Sequence, residues 1–331
     1  VLGKAISRRG PKADAVACVL AQLNHAGQLV AVTAAQLQAY VSGVLSGQGA
    51  SVAILGGVPA GSLAGSTFYV GYGSNAGSML GNGLTRSVVS LPGGRECRPQ
   101  PPRTGWWWNP AEGGRGYSLE VNGRNMFFAA FLYDTSGRST WLVTTGPVSL
   151  DGSYYAGDLL GARGGQTLAG PYPGFPTLTG AGPIVLAFDD EAHGTMAWPG
   201  GAFAIERFNI MPGGLAAAAL AGQPENGWWW NPAESGRGFF IEWQNGTGGA
   251  QADLVGYMYD DAGDPVWYLS VYPTPDPLRF SGNWWSYANG QTLTGAYRPP
   301  TRVNDNVAPV TVQFHSATTA TLTLPGGRTT A

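Results

Sequence analysis

Two long segments of the chain repeat each other, and this repetition limits the fold more than any other feature. The segment GWWWNPAEGGRGYSLE begins at Gly105, and GWWWNPAESGRGFFIE begins at Gly227. Farther along, GQTLAGPY from Gly165 aligns with GQTLTGAY from Gly290. Each copy alternates short apolar runs with turn residues, and such runs give a strand one buried face. The pattern therefore predicts two copies of one small antiparallel sandwich or barrel.

Composition indicates an all-β fold for the whole chain. Of its 331 residues, 52 are glycine and 24 are proline, whereas charged residues make up only 11%. Hydrophobic residues reach 44%, which is enough to bury a core and is not typical of disorder. Short aromatic and β-branched runs between Gly/Pro turns are typical of all-β proteins. We predict three small antiparallel sandwich or barrel domains, the last two a tandem repeat, with an extended N-terminal strand.

Proline-rich and small-residue stretches set the predicted boundaries. The predicted segments are a donor strand at 1–12, an N-terminal β-domain at 13–98, a Pro-rich linker at 99–104, a first β-repeat at 105–211, a linker at 212–226 and a second β-repeat at 227–331. Within the N-terminal domain, strands are expected at 16–23, 28–33, 51–55, 67–72 and 86–91. Residues 34–46 fit a helix and a loop followed by a strand equally well.

The second repeat lacks a closing stretch that the first repeat has. The first copy runs through WPGGAFAIERFNI at 198–210, whereas the second reaches the matching LPGG with no equivalent of AIERF. The start of the chain, Ala5-Ile6-Ser7-Arg8, matches the AIxR of that stretch. A sheet edge without its last strand exposes unpaired backbone groups and recruits a strand from elsewhere. The predicted assembly strand comprises Val1, Leu2, Ala5, Ile6 and Arg8, and the predicted acceptor region comprises Leu324, Pro325, Gly326 and Gly327.

The surplus strand and the missing strand lie at opposite ends of the sequence, which predicts an assembly function. If the strand of one molecule enters the groove of another, the head-to-tail contact propagates into a filament of identical subunits. Insertion between molecules is favoured because two whole domains separate the strand from its groove. The alternative is a monomeric surface adhesin or glycan-binding protein, whose exposed Trp and Tyr rings would bind surface glycans.

Two short motifs recur in both copies and are the candidate binding residues. The Trp triplets lie in predicted strands, where the outer two rings share a face and the middle ring takes the other. We interpret them as core or inter-domain packing, with a subunit interface and a sugar-stacking platform as alternatives. Each triplet is followed by a Glu and an Arg at fixed spacing. We interpret them as structural residues of a turn, with the Arg paired to the Glu or packed across a Trp, rather than as a ligand contact. These residues are Trp106, Trp107, Trp108, Glu112 and Arg115 in the first copy, and Trp228, Trp229, Trp230, Glu234 and Arg237 in the second.

Cysteine usage predicts an oxidising, extracellular location. Cys18 and Cys97 bracket the N-terminal domain, so we expect a disulfide between them, with two unrelated thiols as the alternative. The chain begins with Val1 rather than Met, which we interpret as a leader that was removed or was never included, in keeping with an extracellular or cell-surface protein.

Several function classes are disfavoured by the sequence. A net charge of -2 argues against a nucleic-acid binder, and no apolar run reaches the roughly 18 residues of a membrane helix. The histidines, His25, His193 and His315, do not share a repeat position, and GxSxG, HExxH and CxxC motifs are absent. We predict no enzymatic activity, no cofactor and no metal site, with calcium at Asp189-Asp190-Glu191 as the alternative to a simple turn there.

The repeats resemble a module of secreted and surface proteins of proteobacteria. That module opens with Trp-Asn-Pro-x-Glu-Ser-Gly-x-Gly and continues with a Tyr-Asp-x-x-Gly-x-Pro-x-Trp hairpin. Here these motifs lie at 108–116 with 133–141, and at 230–238 with 259–267. The first copy differs at Gly113, and at Ser139-Thr140 where the pattern has Pro. The sequence FYVGYGSNAGSMLGNG at 68–83 is similar to a β-domain motif of related surface proteins. The resemblance implies location and architecture, and it transfers no activity.

Overall fold

The computed structural model describes residues 101–123, 125–148, 152 and 154–331, together with the backbone of two strands in the N-terminal part. These strands are β1 (Thr67–Tyr72) and β2 (Thr85–Ser90), which pair antiparallel along their whole length. Both lie within one residue of the strands expected at 67–72 and 86–91. The remaining expectations for the N-terminal part fall outside the described residues: the donor strand at 1–12, the strands at 16–23, 28–33 and 51–55, the segment 34–46, and the Cys18–Cys97 disulfide.

The first repeat forms a closed antiparallel barrel of eight strands, which we call the first unit. In order, the strands are β3 (Gly105–Trp108), β4 (Gly116–Asn122), β5 (Asn125–Tyr133), β6 (Ser139–Pro147), β7 (Tyr154–Arg163), β8 (Thr177–Phe188), β9 (His193–Trp198) and β10 (Gly201–Arg207). Each strand pairs with its neighbours in sequence, and β10 closes the barrel against β3. Alternating side chains fill the interior, among them Trp107, Leu119, Phe128 and Ile205. The alternation follows from the two-residue repeat of a strand.

The second repeat, which we call the second unit, has the same strand order, but its strands are divided among three sheets. In order, the strands are β11 (Gly227–Trp229), β12 (Gly238–Gly246), β13 (Gly249–Tyr259), β14 (Pro265–Pro273), β15 (Arg279–Asn283), β16 (Ser286–Ala288), β17 (Thr301–Asn304), β18 (Pro309–Phe314), β19 (Ala320–Thr323) and β20 (Thr329–Thr330). The sheets are β11-β12-β13-β14, β15-β18-β19-β20 and β16-β17. Strands β15 and β16 correspond to β7, and β17 and β18 correspond to β8.

All the described regular structure is β-strand apart from two 3-10 turns at Pro232–Glu234 and Pro325–Gly327, so the predicted all-β fold is confirmed. The two units contact each other through a shared aromatic cluster. Its buried members are Trp106, Ala129, Tyr133, Trp141, Ala162, Phe240, Val255, Tyr257, Tyr259 and Trp267.

Among the described residues, the second unit is not closed. Strand β11 pairs with β12 alone, whereas its counterpart β3 pairs with both β4 and β10. Strand β20 is only two residues long and pairs with β19, with Thr330 opposite Leu322. We call the gap between β11 and β19–β20 the seam.

A longer turn displaces β20 along the sheet relative to β10. In the first unit Trp198 lies opposite Gly201, and two residues form the turn between them. In the second unit Leu324 N donates a hydrogen bond to Arg328 O (2.7 Å), and three residues form the turn. As a result, Thr330 lies opposite Leu322 where Phe203 lies opposite Met196 in the first unit. The positions of Ile205–Arg207 therefore have no counterpart among the described residues.

Candidate functional site

The turn after each Trp triplet contains an ion pair. Arg115 Nη2 lies 2.5 Å from Glu112 Oε2, and Arg237 Nη2 lies 2.7 Å from Glu234 Oε2. Both arginines are buried. Burial lowers the pKa of Arg237 to about 10, against the raising effect of Glu234, so this guanidinium is still charged at neutral pH.

Each of these arginines also reaches the other unit. Arg115 Nη1 donates a hydrogen bond to Thr292 O (3.1 Å), and Arg237 Nη1 donates one to Thr167 O (3.1 Å). The two threonines occupy the same place in the repeated GQTL segments. The repeated Glu and Arg therefore serve the contact between the units as well as their own turn.

Other repeated residues make equally reciprocal contacts. Trp141 Nε1 donates to Met258 O (3.0 Å), and Trp267 Nε1 donates to Leu132 O (3.1 Å). Such an exchange of equivalent contacts is typical of a two-fold symmetric dimer, in which one surface patch meets its own copy. The two units are thus arranged as a covalently linked pseudo-dimer.

Sequence reasoning missed two glutamates at the centre of this pseudo-dimer. Trp106 N donates to Glu242 Oε2 (2.6 Å), and Trp228 N donates to Glu120 Oε2 (2.6 Å). Each carboxylate thus binds the first strand of the opposite unit. Their signal was present in the sequence, because the repeated GYSLE and GFFIE segments both end in Glu.

The first Trp triplet is covered by its own unit together with the contact between the two units. Trp107 points into the interior and meets Phe188 edge to face, with ring centroids 5.4 Å apart. Trp106 points outward into the aromatic cluster between the units. Trp108 packs edge to face on Phe208, the residue that follows β10, at 5.1 Å.

The second triplet is more exposed, although its sequence is the same. Trp229 meets Phe314 at 5.3 Å in the way that Trp107 meets Phe188, yet Trp228 and Trp229 are only half-buried. Trp230, the counterpart of Trp108, is 58% exposed. The difference arises at the seam, because no described residue corresponds to the end of β10 and to Phe208, which lie beside the first triplet.

The predicted acceptor residues lead from β19 into β20. Leu324 is buried in the core of the second unit, and Pro325–Gly327 form the turn after it. Arg328 Nη2 then binds Glu234 Oε1 at 2.6 Å, and Thr330 Oγ1 donates to Glu234 Oε2 at 3.0 Å. This turn therefore bounds one end of the seam.

The described residues contain neither a cluster of metal-ligating side chains nor a long apolar helix. No three His, Cys, Asp or Glu residues there are grouped so that they could hold a metal ion. Asp190 Oδ1 instead accepts hydrogen bonds from Ala192 N (2.7 Å) and His193 N (2.8 Å), which organises a turn. The described residues also contain no helix that is long and apolar enough to cross a membrane.

Comparison with known proteins assigns no family. The chain matches no protein-family model, no curated protein and no solved structure. The resemblance to the proteobacterial surface module therefore stays a prediction. The seam and the reciprocal contacts around it are the features from which function can be inferred.

Proposed function

We propose that this protein is an extracellular structural subunit that assembles head-to-tail into a filament. Each molecule donates its N-terminal strand to the seam of the second unit of a neighbour. The observation that supports this proposal is the seam itself, beside which β11 pairs with β12 and with no other described strand. The partner is another copy of the same chain, and the function requires no enzymatic activity.

The first unit indicates what a strand in the seam would contribute. There, Phe208 N donates to Trp106 O (2.8 Å), and Arg207 N donates to Ala192 O (2.8 Å), so β10 binds backbone on both sides. Ile205 of the same strand is only 2% exposed and packs in the barrel core. An edge without such a strand presents free backbone donors and acceptors, which favours addition of a strand from another chain.

The N-terminal sequence has the residue pattern of β10. Ala5-Ile6-Ser7-Arg8 matches the residues Ala204 to Arg207 at every position except the third. In this alignment Ile6 takes the buried position of Ile205, and its burial would contribute roughly 1.5–3 kcal/mol. Ser7 takes the position of Glu206, where the first unit accepts a charged residue.

A matched pair of substitutions tests the proposal in the full chain. Ile6→Asp places a charge in an apolar position and should abolish assembly, because burying an unpaired carboxylate is costly. Ser7→Asp introduces the same charge one residue away, on the face where Glu206 lies, and should leave assembly intact. Analytical ultracentrifugation and negative-stain microscopy report the result.

Two results would contradict the proposal. The first is an Ile6→Asp protein that forms the same filaments as the unaltered chain. The second is an unaltered chain that stays monomeric at high concentration, which would favour insertion of the strand into the seam of its own molecule.

A glycan-binding adhesin is the second candidate, and one observation favours it. Trp230 is 58% exposed and offers a flat apolar face of the kind that stacks on sugars. The other rings of the two triplets are buried or half-buried, so the platform would be a single residue. Glycan binding that disappears on Trp230→Ala, in a protein that never assembles, would support this function over filament formation.

A further inference from the structure

The closing strand of the first unit carries an arginine that binds the other unit. Arg207 Nη2 forms an ion pair with Glu242 Oε1, and its Nη1 lies 3.1 Å from Glu242 Oε2. The same Nη1 donates to Trp106 O at 2.6 Å. Side chains of Arg207 and Glu242 are 2% and 1% exposed. Strand β10 is thus held both by its own barrel and by the Glu242 carboxylate of the opposite unit.

Glu120 is the counterpart of Glu242, and no described residue provides the cation equivalent to Arg207. Its Oε2 accepts a hydrogen bond from Trp228 N at 2.6 Å, as Glu242 does from Trp106 N. No Lys or Arg within the described ranges forms an ion pair with it. Glu120 is half-buried, and this burial raises its pKa, against the lowering effect of the Trp228 hydrogen bond.

The glycine that makes room for the Arg207 guanidinium in the first unit has a counterpart in the second unit. Gly105 has a φ of 142°, and a Cβ at this position would fall 2.1 Å from Arg207 Nη1 and 2.3 Å from Glu242 Oε2. Gly227 has a φ of 141°, and a Cβ there would fall 2.4 Å from Glu120 Oε2. Glycine suits both positions because it adopts positive φ without strain. It also leaves room for the guanidinium in the first unit.

We infer that Glu120 of the first unit is the binding partner of Arg8 in the strand that a second copy donates to the second unit. This inference rests on the proposed strand donation and adds that both units of the acceptor contribute to the site. Arg8 would lie opposite Trp229, as Arg207 lies opposite Trp107. Its guanidinium would then bind the Glu120 carboxylate and the carbonyl oxygen of Trp228.

This ion pair would fix the register of the donated strand. A shift by one residue turns every side chain of a strand to the opposite face, which would expose Ile6. A shift by two residues that moves Ile6 to the position of Arg8 would set an apolar side chain against the carboxylate. Backbone pairing alone does not distinguish these registers, because every residue offers the same donor and acceptor. The carboxylate therefore selects the register that buries Ile6.

Charge reversal in full chains gives a sharp test. Arg8→Glu alone and Glu120→Arg alone should each abolish assembly by like-charge contact. Mixing the two proteins should restore filaments, because each then meets a complementary partner in the other. The double variant R8E/E120R should also assemble by itself. Assembly is followed by sedimentation velocity and negative-stain microscopy, and thermal unfolding of each protein establishes that it is folded.

Neutral substitutions provide a second test that remains valid if the charge-reversed proteins misfold. Arg8→Gln and Glu120→Gln should each weaken the association constant about 10-fold or more, and the double variant should be no weaker than the worse single one. The matched control is Glu225→Gln, which removes a nearby negative charge. Its effect should be small and should add independently to that of Arg8→Gln.

The outcomes separate this inference from the proposed function. If Ile6→Asp abolishes assembly but Arg8 and Glu120 substitutions have additive or negligible effects, strand donation stands and the Glu120–Arg8 pair is wrong. Failure of the mixed reversed proteins to assemble, with no coupling between the neutral substitutions, also overturns the pair. If Ile6→Asp leaves assembly unchanged, both the proposed function and the inference fail.

Discussion

The paired glutamates Glu242 and Glu120 predict unequal stability effects for one chemical change. Each accepts a hydrogen bond from the first strand of the opposite unit, but among the described residues only Glu242 is paired with a buried arginine, Arg207. Substituting either residue with Gln removes the charge and leaves an amide oxygen that can still accept the backbone hydrogen bond. The difference between the two substitutions therefore reports the ion pair together with the hydrogen bond that Gln244 Nε2 donates to Glu242 Oε1 (2.9 Å).

The structure sets the expected magnitudes. Removing one partner from a buried ion pair typically costs about 3–5 kcal/mol, because the other charge is left buried without compensation. The cost of Glu242→Gln in free energy of unfolding should lie at the low end of this range, about 3 kcal/mol. The reason is that Arg207 Nη1 keeps its hydrogen bond to Trp106 O. Glu120→Gln breaks no ion pair with a described residue, and it should cost less than about 1 kcal/mol.

Urea unfolding followed by tryptophan fluorescence measures both free energies. The measurements use the Ile6→Asp background, in which the seam is expected to stay empty and Glu120 unpaired. Adding Arg207→Met to Glu242→Gln should recover part of the loss, because the unpaired guanidinium is then absent. Equal costs for Glu242→Gln and Glu120→Gln would refute the assignment of a stabilising, buried ion pair between the units.

Three further predictions concern single side chains. Trp267→Phe should cost about 1 kcal/mol beyond the change in ring size, because it removes the hydrogen bond to Leu132 O across the unit boundary; chemical denaturation measures the loss. Arg115→Met should destabilise by about 3 kcal/mol, whereas Arg138→Met, at a surface ion pair, should cost at most about 1 kcal/mol, and similar values would be evidence against the role of burial. Burial raises the pKa of Asp253 from 3.8 to about 7, so the folded state retains a proton that the unfolded chain releases. Stability should therefore fall as pH rises from about 4 to 7 and level off above, and Asp253→Asn should remove this slope in urea unfolding at several pH values.

Much of the architecture was predictable because it depends on local patterns. Alternating apolar residues in segments such as YSLEV and FFAAFLY correspond to β4 and β5, and the turn residues between runs separate the strands as expected. The repeated sequence also predicted a common strand order, which the two units share. The displacement of β20 was not predicted, because Pro199-Gly200 and Pro325-Gly326 look alike and the extra turn residue is a matter of backbone geometry.

The candidate site was predictable only in part. The Glu112–Arg115 spacing identified an ion pair in a turn, but the pattern gave no sign that Arg115 also binds Thr292 of the other unit. Identical Trp triplets likewise gave no reason to expect that Trp230 would be far more exposed than Trp108. That difference depends on Phe208, which packs on Trp108 and directly follows β10, a strand distant from Trp108 in the sequence.

The sequence by itself determined the all-β class and the presence of two copies of one β-repeat. These features follow from the order of the residues and from the alternation of buried and exposed side chains along a strand. Both can be read from a few neighbouring positions. Only the tertiary structure decided that Glu120 and Glu242 face the opposite unit and that Arg207 binds one of them. A motif of identical sequence can satisfy its polar groups within its own unit or in its neighbour. The choice depends on how the two units pack, because Glu242 and Arg207 are brought together by the shared aromatic interface and not by their positions along the chain.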